Sequence, residues 1–250
     1  MKWLFVLSFI LLPFIHAISQ DVNVLIKEGD RLEAIPDETA ALHKFREVLK
    51  LQPLNIYALN KCSELCSRIG KRQTNTKAME DYYHAAKTYA GIALKLNPND
   101  SEANCVMAMA MGRSSMAKTG KEKIENAREI RRYIDISLKN DPRNFKALHI
   151  LGRWHYEVTN LNMLERAAVK MLYGGLPHAS LKESIIAFEK ARAAQPGFLL
   201  NYLEMAKAYK QDGQKKKAVA YLNTMLQLPN QTEDDPAIKE LGRQMLKDWK

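Results

Sequence analysis

The sequence predicts an all-α protein in which helical hairpins stack into a solenoid, an α-α superhelix. Three observations support this fold class. Apolar residues recur every three or four positions through most of the chain, as on one face of a helix. Glycine and proline number only 11 and 9 among 250 residues, and few runs alternate polar with apolar residues as half-buried strands do. Prolines also recur in similar contexts after the periodic runs, which indicates a repeat.

The best-defined unit runs from Asn201 to Pro229. It contains two amphipathic segments separated by Gly213, a residue type that readily ends a helix. The apolar positions are Tyr202, Met205, Ala206, Tyr209, Ala218, Leu222 and Met225. Small Ala206 and Ala218 allow the two helices to pack closely. A hairpin of roughly 34 residues that ends near a proline resembles a tetratricopeptide repeat. Because one hairpin cannot bury its apolar face alone, its neighbours must be hairpins as well.

Prolines in matching contexts predict where the other hairpins end. They are Pro53, Pro98, Pro142, Pro196 and Pro229, at intervals of 45, 44, 54 and 33 residues. The longer intervals exceed the repeat norm and therefore predict inserted helical segments. The residues after Pro229 begin acidic and end basic, which matches the dipole of a helix and predicts a C-terminal capping helix.

The longest insert spans residues 161–177 in the fourth hairpin. Met163, Leu164, Ala167 and Met171 form one helical stripe, and Gly174, Gly175 and Pro177 follow as a break. We expect a short additional helix here, folded against the groove of the superhelix.

The first nineteen residues differ from the rest. Lys2 precedes an uncharged apolar run, Trp3 to Ile15, which is short for a transmembrane span of about 20 residues. Small Ala17 and Ser19 then predict signal-peptide cleavage before Gln20. This organisation makes residues 1–19 a signal peptide, residues 20–250 the solenoid, and the protein periplasmic or secreted, with no stable membrane span after cleavage. The alternative is an uncleaved N-terminal anchor.

Charge and cysteine content limit the partners. The formal net charge of +10 is compatible with an acidic partner or with basic residues spread over solvated helix faces. The basic residues are not interleaved with aromatic ones, so we predict no nucleic-acid partner. Three cysteines are too few for a disulfide framework, and Cys62 and Cys66 are expected to be buried packing residues.

No catalytic motif is recognisable, so the sequence predicts a protein that is not an enzyme and needs no cofactor or metal. Trp154, His155, Tyr156 and Glu157 form the densest cluster of reactive side chains. Two of these four positions fit the packing face of their helix, which favours a role in the core.

The first helices of stacked hairpins line a concave surface that commonly binds peptide. Outward amide and cationic side chains on that surface are candidates to hold a peptide backbone or carboxylate. The candidate groove residues, including two on the insert, are Asn60, Asn104, Arg113, Lys146, Arg153, Arg166, Lys170, Asn201 and Lys207.

Several spaced blocks resemble the regulator of microtubule dynamics family. They are Gly152–Glu157, Glu165–Ser180, and Asn201–Lys210, within a similarity that covers roughly residues 75–250. The resemblance implies a non-enzymatic helical repeat protein, and its animal members associate with microtubules or with mitochondrial and endoplasmic-reticulum membranes. Together with the export signal it indicates an exported bacterial relative.

Two functions follow from the sequence. The first is a scaffold that binds a protein or peptide, acidic in one reading, in the concave groove. The alternative is a microtubule-associated regulator whose basic helices contact the acidic surface of tubulin. A cytoplasmic location belongs to this alternative.

Overall fold

A computed structural model describes residues 21–115 and 120–249, with the side chain of Tyr173 excepted. Within these ranges the chain forms twelve helices and no strand. The helices are α1 (21–34), α2 (Glu38–Leu51), α3 (Ile56–Lys71), α4 (Thr76–Leu96), α5 (Ser101–Ser114), α6 (Gly120–Asn140), α7 (Phe145–Thr159), α8 (Met163–Tyr173), α9 (Leu181–Ala194), α10 (Leu199–Gln211), α11 (Lys215–Gln227) and α12 (Asp235–Asp248). None of the helices in this described part is long and apolar enough to cross a bilayer. The predicted signal peptide lies outside the described residues and stays a prediction.

The helices pair into five hairpins, α1/α2, α3/α4, α5/α6, α7/α9 and α10/α11. The second helix of every hairpin ends two residues before a proline, so four of the five prolines lie between hairpins and Pro229 lies between the last hairpin and α12. Three of the following helices then begin on an Asn or Asp two residues after the proline. Asn55, Asp100 and Asn144 accept hydrogen bonds from backbone N–H groups in the first turns of α3, α5 and α7. Proline stops one helix and the cap starts the next, which makes these turns a local property of the sequence.

Close helix packing inside the hairpins depends on small residues, as the sequence predicts. A Cβ atom on Gly29 of α1 would lie 2.8 Å from the ring of Phe45 in α2. The same arrangement recurs between α7 and α9, where a Cβ atom on Gly152 would lie 2.6 Å from the ring of Phe188. Both phenylalanines are completely buried. The two rings therefore fill the space that the glycines leave.

The first helices of the hairpins contact one another in order along the chain. We call α1, α3, α5, α7 and α10 the inner helices and their hairpin partners the outer helices. α3 packs on α5, α5 on α7, and α7 on α10, while each also packs on its own outer helix. α12 covers α10 and α11 and buries Ile238 and Gly242, which confirms the predicted capping helix.

The insert forms a helix, but its predicted position is wrong. α8 begins with a capping box at Asn162 and ends at Gly174, which has a left-handed φ of 70°. Its apolar stripe does not face a groove, since Met163, Leu164 and Met171 are 82–86% exposed. The helix instead contacts the outer helix α6. A physical reason is that the inner surface carries charged side chains, which offer no complement to an apolar stripe.

The loop after α8 shows the same placement on the outer side. Arg128 of α6 donates from its Nε atom to the carbonyl of Gly175 at 3.1 Å. Pro177 closes one side of a shallow depression of about 360 Å³ on α6, lined otherwise by Arg128, Arg131, Arg132, Asp135, Ile136 and Lys139. The insert therefore does not narrow the concave surface.

Candidate interaction site on the inner surface

Charged side chains follow the inner helices at the spacing of one helical face. On α3 they are Lys61, Glu64 and Arg68, three and four residues apart. On α7 they are Lys146 and Arg153, seven apart, with Glu204 and Lys207 on α10. We call the surface that these residues share the inner surface. Its charges are paired mainly with one another.

A buried ion pair connects three inner helices. Lys146 Nζ of α7 lies 2.7 Å from Glu64 Oε2 of α3 and also contacts the carboxylate of Glu102 on α5. The side chains of Lys146 and Glu64 are only 15% and 9% exposed. Burial alone raises the pKa of Glu64, but the charges of Lys146 and Arg68 outweigh it and lower the pKa to about 2. Glu64 is therefore ionised at neutral pH, and the pair holds α3, α5 and α7 in register.

A second network lies at the N-terminal end of the inner surface. Lys61 Nζ lies 2.7 Å from Glu33 Oε2 of α1, and Arg68 Nη1 lies 3.1 Å from Glu33 Oε1. Arg68 also contacts the fully buried carboxylate of Glu38, at the start of α2. These pairs fix the first two hairpins against each other.

The C-terminal end combines a buried histidine with charged groups. His149 Nδ1 lies 3.1 Å from Asn201 Oδ1, and Asn201 Nδ2 donates to the carbonyl of Phe188 at 2.9 Å. Burial, and then the positive charge of Arg153, lower the pKa of His149 to about 4. His149 is therefore neutral at physiological pH and serves as a hydrogen-bonded packing residue.

Arg113, in the last turn of α5, is the exception to this pairing. It is mostly buried, and no hydrogen bond or ion pair joins its guanidinium to another residue in ranges 21–115 and 120–249. Burial and the nearby charge of Arg153 lower its pKa, whereas Tyr83, Asp234 and Glu204 act in the opposite direction. An unpaired guanidinium in such a place is unusual, because buried charges are normally paired.

The acidic segment before α12 returns to the first hairpins and closes the superhelix. Arg72 Nη2 lies 3.1 Å from Glu233 Oε2, and Arg72 Nη1 lies 3.4 Å from Asp234 Oδ1. Lys71 Nζ lies 3.2 Å from Asp234 Oδ2. The backbone N–H of Glu38 donates to Glu233 Oε1 at 2.7 Å. Residues about 160 to 195 positions apart thus meet at one end of the inner surface.

Comparison with known families identifies the kind of protein. Residues 25–250 match the family model described as regulator of microtubule dynamics protein 1-3. The chain belongs to this family. The resemblance found in the sequence is thereby confirmed, and it extends through the first hairpin.

Relatives in this family are about a quarter identical to the chain over the matched residues. The regulator of microtubule dynamics protein 1 of Caenorhabditis elegans is 28% identical over 174 residues, which are 70% of this chain and 75% of that protein. The regulator of microtubule dynamics protein 2 of Homo sapiens is 27% identical over 175 residues, 70% of this chain and 42% of that one. The chain therefore matches less than half the length of this human relative.

Solved structures confirm the fold. A thermophilic tetratricopeptide-repeat protein of Thermus thermophilus aligns with a TM-score of 0.64 at 15% identity, over 90% of this chain and 99% of that one. A human IFIT1 dimer with PPP-AAAA aligns with a TM-score of 0.51 at 18% identity, over 88% of this chain and 52% of that one. At these identities the likeness shows the tetratricopeptide-like solenoid alone.

The structure of this family member corrects three of the predicted groove residues. Asn60, Asn104 and Asn201 were expected to face outward, and this is wrong because their side chains are 0–5% exposed. Asn60 Nδ2 donates to Asp100 Oδ1 at 3.1 Å, and Asn104 Nδ2 donates to the carbonyl of Pro98 at 2.9 Å. Asn60 and Asn104 satisfy polar groups in the turn before α5, and Asn201 bonds to His149 of α7 and to the carbonyl of Phe188 in α9. That structural use removes their side chains from a partner's reach.

The six cationic candidates divide into two groups. Arg113, Lys146, Arg153 and Lys207 lie on the inner helices α5, α7 and α10, although the side chain of Lys146 is only 15% exposed, and their contact with a partner stays a prediction. Arg166 and Lys170 are exposed on α8. Arg166 donates from Nε to the carbonyl of Leu161 at 2.8 Å and closes the start of its own helix. These two residues are not part of the inner surface.

Sequence reasoning missed the acidic partners and Arg72. Glu38, Glu64 and Glu233 bind cations on other hairpins, and no local motif marks them. One usable signal was the acidic run at Glu233, Asp234 and Asp235 in a chain of net charge +10.

The cysteines and possible metal ligands add no further site. Cys62, Cys66 and Cys105 are free and buried, and burial raises the pKa of Cys62 to about 12 and that of Cys66 to about 11. These values keep both thiols protonated. In ranges 21–115 and 120–249, no group of three or more His, Cys, Asp or Glu side chains is placed to hold a metal ion.

Proposed function

We propose that the protein is a non-enzymatic scaffold that binds a protein or peptide partner on the inner surface of its superhelix. The observation that carries the proposal is the continuous array of charged groups on consecutive inner helices, held in place by ion pairs such as Lys146 to Glu64 at 2.7 Å. Groups that are already fixed lose little conformational entropy when a partner binds, which favours recognition.

The two histidines of α7, His149 and His155, support a non-enzymatic role. His149 is bonded to Asn201, and His155 packs edge-on against Trp154 with ring centroids 5.3 Å apart. Burial, more than the charge of Arg131, lowers the pKa of His155. Both rings therefore serve the packing of α7.

Site-specific photo-crosslinking tests the scaffold proposal. A photoreactive residue is placed at Glu157, which continues the row of Lys146 and Arg153 on α7, or at Lys216 on the exposed face of the outer helix α11. We expect a saturable protein adduct in cell extract at position 157 and none at position 216. Equal labelling at both positions, or no saturable adduct, would contradict a partner surface on the inner helices.

A second function is favoured by the family itself. Its members are named as regulators of microtubule dynamics, and this chain carries a net charge of +10 with Lys215, Lys216 and Lys217 exposed at the start of α11. In this proposal the basic outer helices contact an acidic filament surface. Such contacts between exposed charges are screened by salt.

Co-sedimentation with microtubules distinguishes this second function. We expect the chain to sediment with microtubules at low ionic strength, to be released by about 0.15 M salt, and to bind more weakly after Lys215, Lys216 and Lys217 are all replaced by glutamine. The matched control replaces Lys77, Lys95 and Lys121, which are also exposed, by glutamine. No sedimentation at low salt would remove the microtubule proposal.

A further inference from the structure

The segment between α11 and α12 is arranged to present two carboxylates to the first hairpins. Asp235 is buried and accepts hydrogen bonds from the backbone N–H groups of Gln231 and Thr232 at 2.7 and 2.8 Å. This turn fixes the loop from within. The carboxylates of Glu233 and Asp234 are left to bind elsewhere, and they reach Arg72 and Lys71.

The acidic segment pairs with two cations, and a third cation belongs to the same end of the inner helices. Lys71 and Arg72 end α3, and both are paired with the acidic segment, while Arg72 Nη2 also lies 2.7 Å from Glu38 Oε2. Arg113 lies in the last turn of α5, which packs on α3, and no ion pair within the described ranges neutralises it. We call Lys71, Arg72 and Arg113 the basic edge. Glu38, Glu233 and Asp234 form ion pairs with Lys71 and Arg72, and within the described ranges none forms one with Arg113.

We propose that the basic edge is a binding site for an acidic segment of a partner protein, and that residues 231–235 occupy it as an intramolecular competitor. This inference rests on the scaffold function proposed above and specifies the chemistry of the partner. The chain's own Glu233 and Asp234 show the kind of ligand that the site accepts, namely consecutive carboxylates on a turn. A partner must displace them to reach Arg72 and Arg113.

Competition of this kind is effective because the competitor is tethered. A segment linked through the same chain acts at an effective concentration in the millimolar range or above. A free acidic peptide that binds through a few partly exposed ion pairs is weak, since each such pair contributes about 0–1 kcal/mol. The intact chain is therefore closed to weak acidic ligands, and release of residues 231–235 exposes the site.

The test measures binding of a fluorescein-labelled hexaglutamate peptide to the full chain by fluorescence anisotropy, with hexaglutamine as the peptide control. The competitor is weakened by the double variant Glu233→Gln and Asp234→Asn, which keeps side-chain shape. We expect this variant to bind hexaglutamate at least tenfold more tightly than the unmodified chain. Adding Arg72→Gln and Arg113→Gln is expected to abolish that gain.

A matched control excludes a general effect of charge. The double variant Glu240→Gln and Asp248→Asn removes the same two negative charges from exposed positions of α12. We expect its affinity for hexaglutamate to equal that of the unmodified chain. If both double variants gain equally, or if neither gains, the proposal is overturned.

Two further readouts keep the outcome clear. Thermal unfolding followed by circular dichroism shows whether the arginine variants fold, and Lys71→Gln, at a more exposed position, replaces them if they do not. Hexaglutamate binding that fails in every variant, together with a saturable crosslink at position 157, would reject the acidic site and retain the scaffold. Failure of both would reject the two proposals together.

Discussion

Replacing Lys146 by alanine is expected to lower the free energy of unfolding by about 3–5 kcal/mol. Lys146 is the only cation within 3 Å of Glu64 among the described residues, and it also contacts Glu102. Its removal leaves the 9%-exposed carboxylate of Glu64 in a low-dielectric site with Arg68 as its remaining ion-pair partner, at 3.6 Å. Urea denaturation of the two proteins at pH 7 measures the difference.

The pH dependence of that difference has a defined sign. The pKa of Glu64 is lowered to about 2 in the folded chain, so its contribution to stability is present above the unfolded value near 4.5. As the pH falls from about 4.5 towards 2, Glu64 is protonated and loses its attraction to Lys146. The stability difference between the unmodified chain and Lys146→Ala should therefore shrink over this range.

Lys139→Ala is the matched control, because Lys139 is exposed on α6. We expect it to change the free energy of unfolding by no more than about 0.5 kcal/mol. An equally small effect of Lys146→Ala at pH 7 would show that the buried pair does not hold α3, α5 and α7 together.

The hairpins could be predicted because their signals are local. Proline after each outer helix, and Asn55, Asp100 and Asn144 two residues beyond it, act through backbone chemistry within a single turn. The close packing of Ala206 and Ala218 likewise follows from the apolar face of one hairpin, and both residues are fully buried. These features need no knowledge of how the hairpins stack.

The candidate site could be predicted only in part, because stacking determines which side chains meet. Periodicity placed Lys146 and Arg153 on an inner helix, where the structure has them, and it predicted that Asn60 and Asn201 also face outward. Each of these asparagines is instead bonded to a neighbouring hairpin. Glu64 and Lys146 are 82 residues apart, so no sequence window contains both. The exposed stripe of α8 shows that amphipathicity predicts a helix without predicting its partner.

The second large expected effect is that the superhelix opens when the acidic segment loses its charge. The pairs of Arg72 with Glu233 and Asp234 place the turn after α3 next to the segment before α12. Thr74 and Asn230 are exposed positions beside these two segments. At no more than about 3.6 Å per residue and with extended side chains, their Cα atoms lie within roughly 35 Å of each other. Replacing Glu233 by glutamine and Asp234 by asparagine is expected to lengthen and broaden this distance.

Electron–electron double resonance between spin labels at Thr74→Cys and Asn230→Cys tests the closure most directly. The native Cys62, Cys66 and Cys105 are buried, and burial raises the pKa of each thiol, so labelling is confined to the introduced residues. We predict a narrow distribution of the distance between the two spin labels, within the range that the ion pairs of Arg72 allow. This distribution should widen when Glu233 is replaced by glutamine and Asp234 by asparagine. A broad distribution centred at longer distances in the unmodified sequence background would contradict a superhelix closed by its own acidic segment.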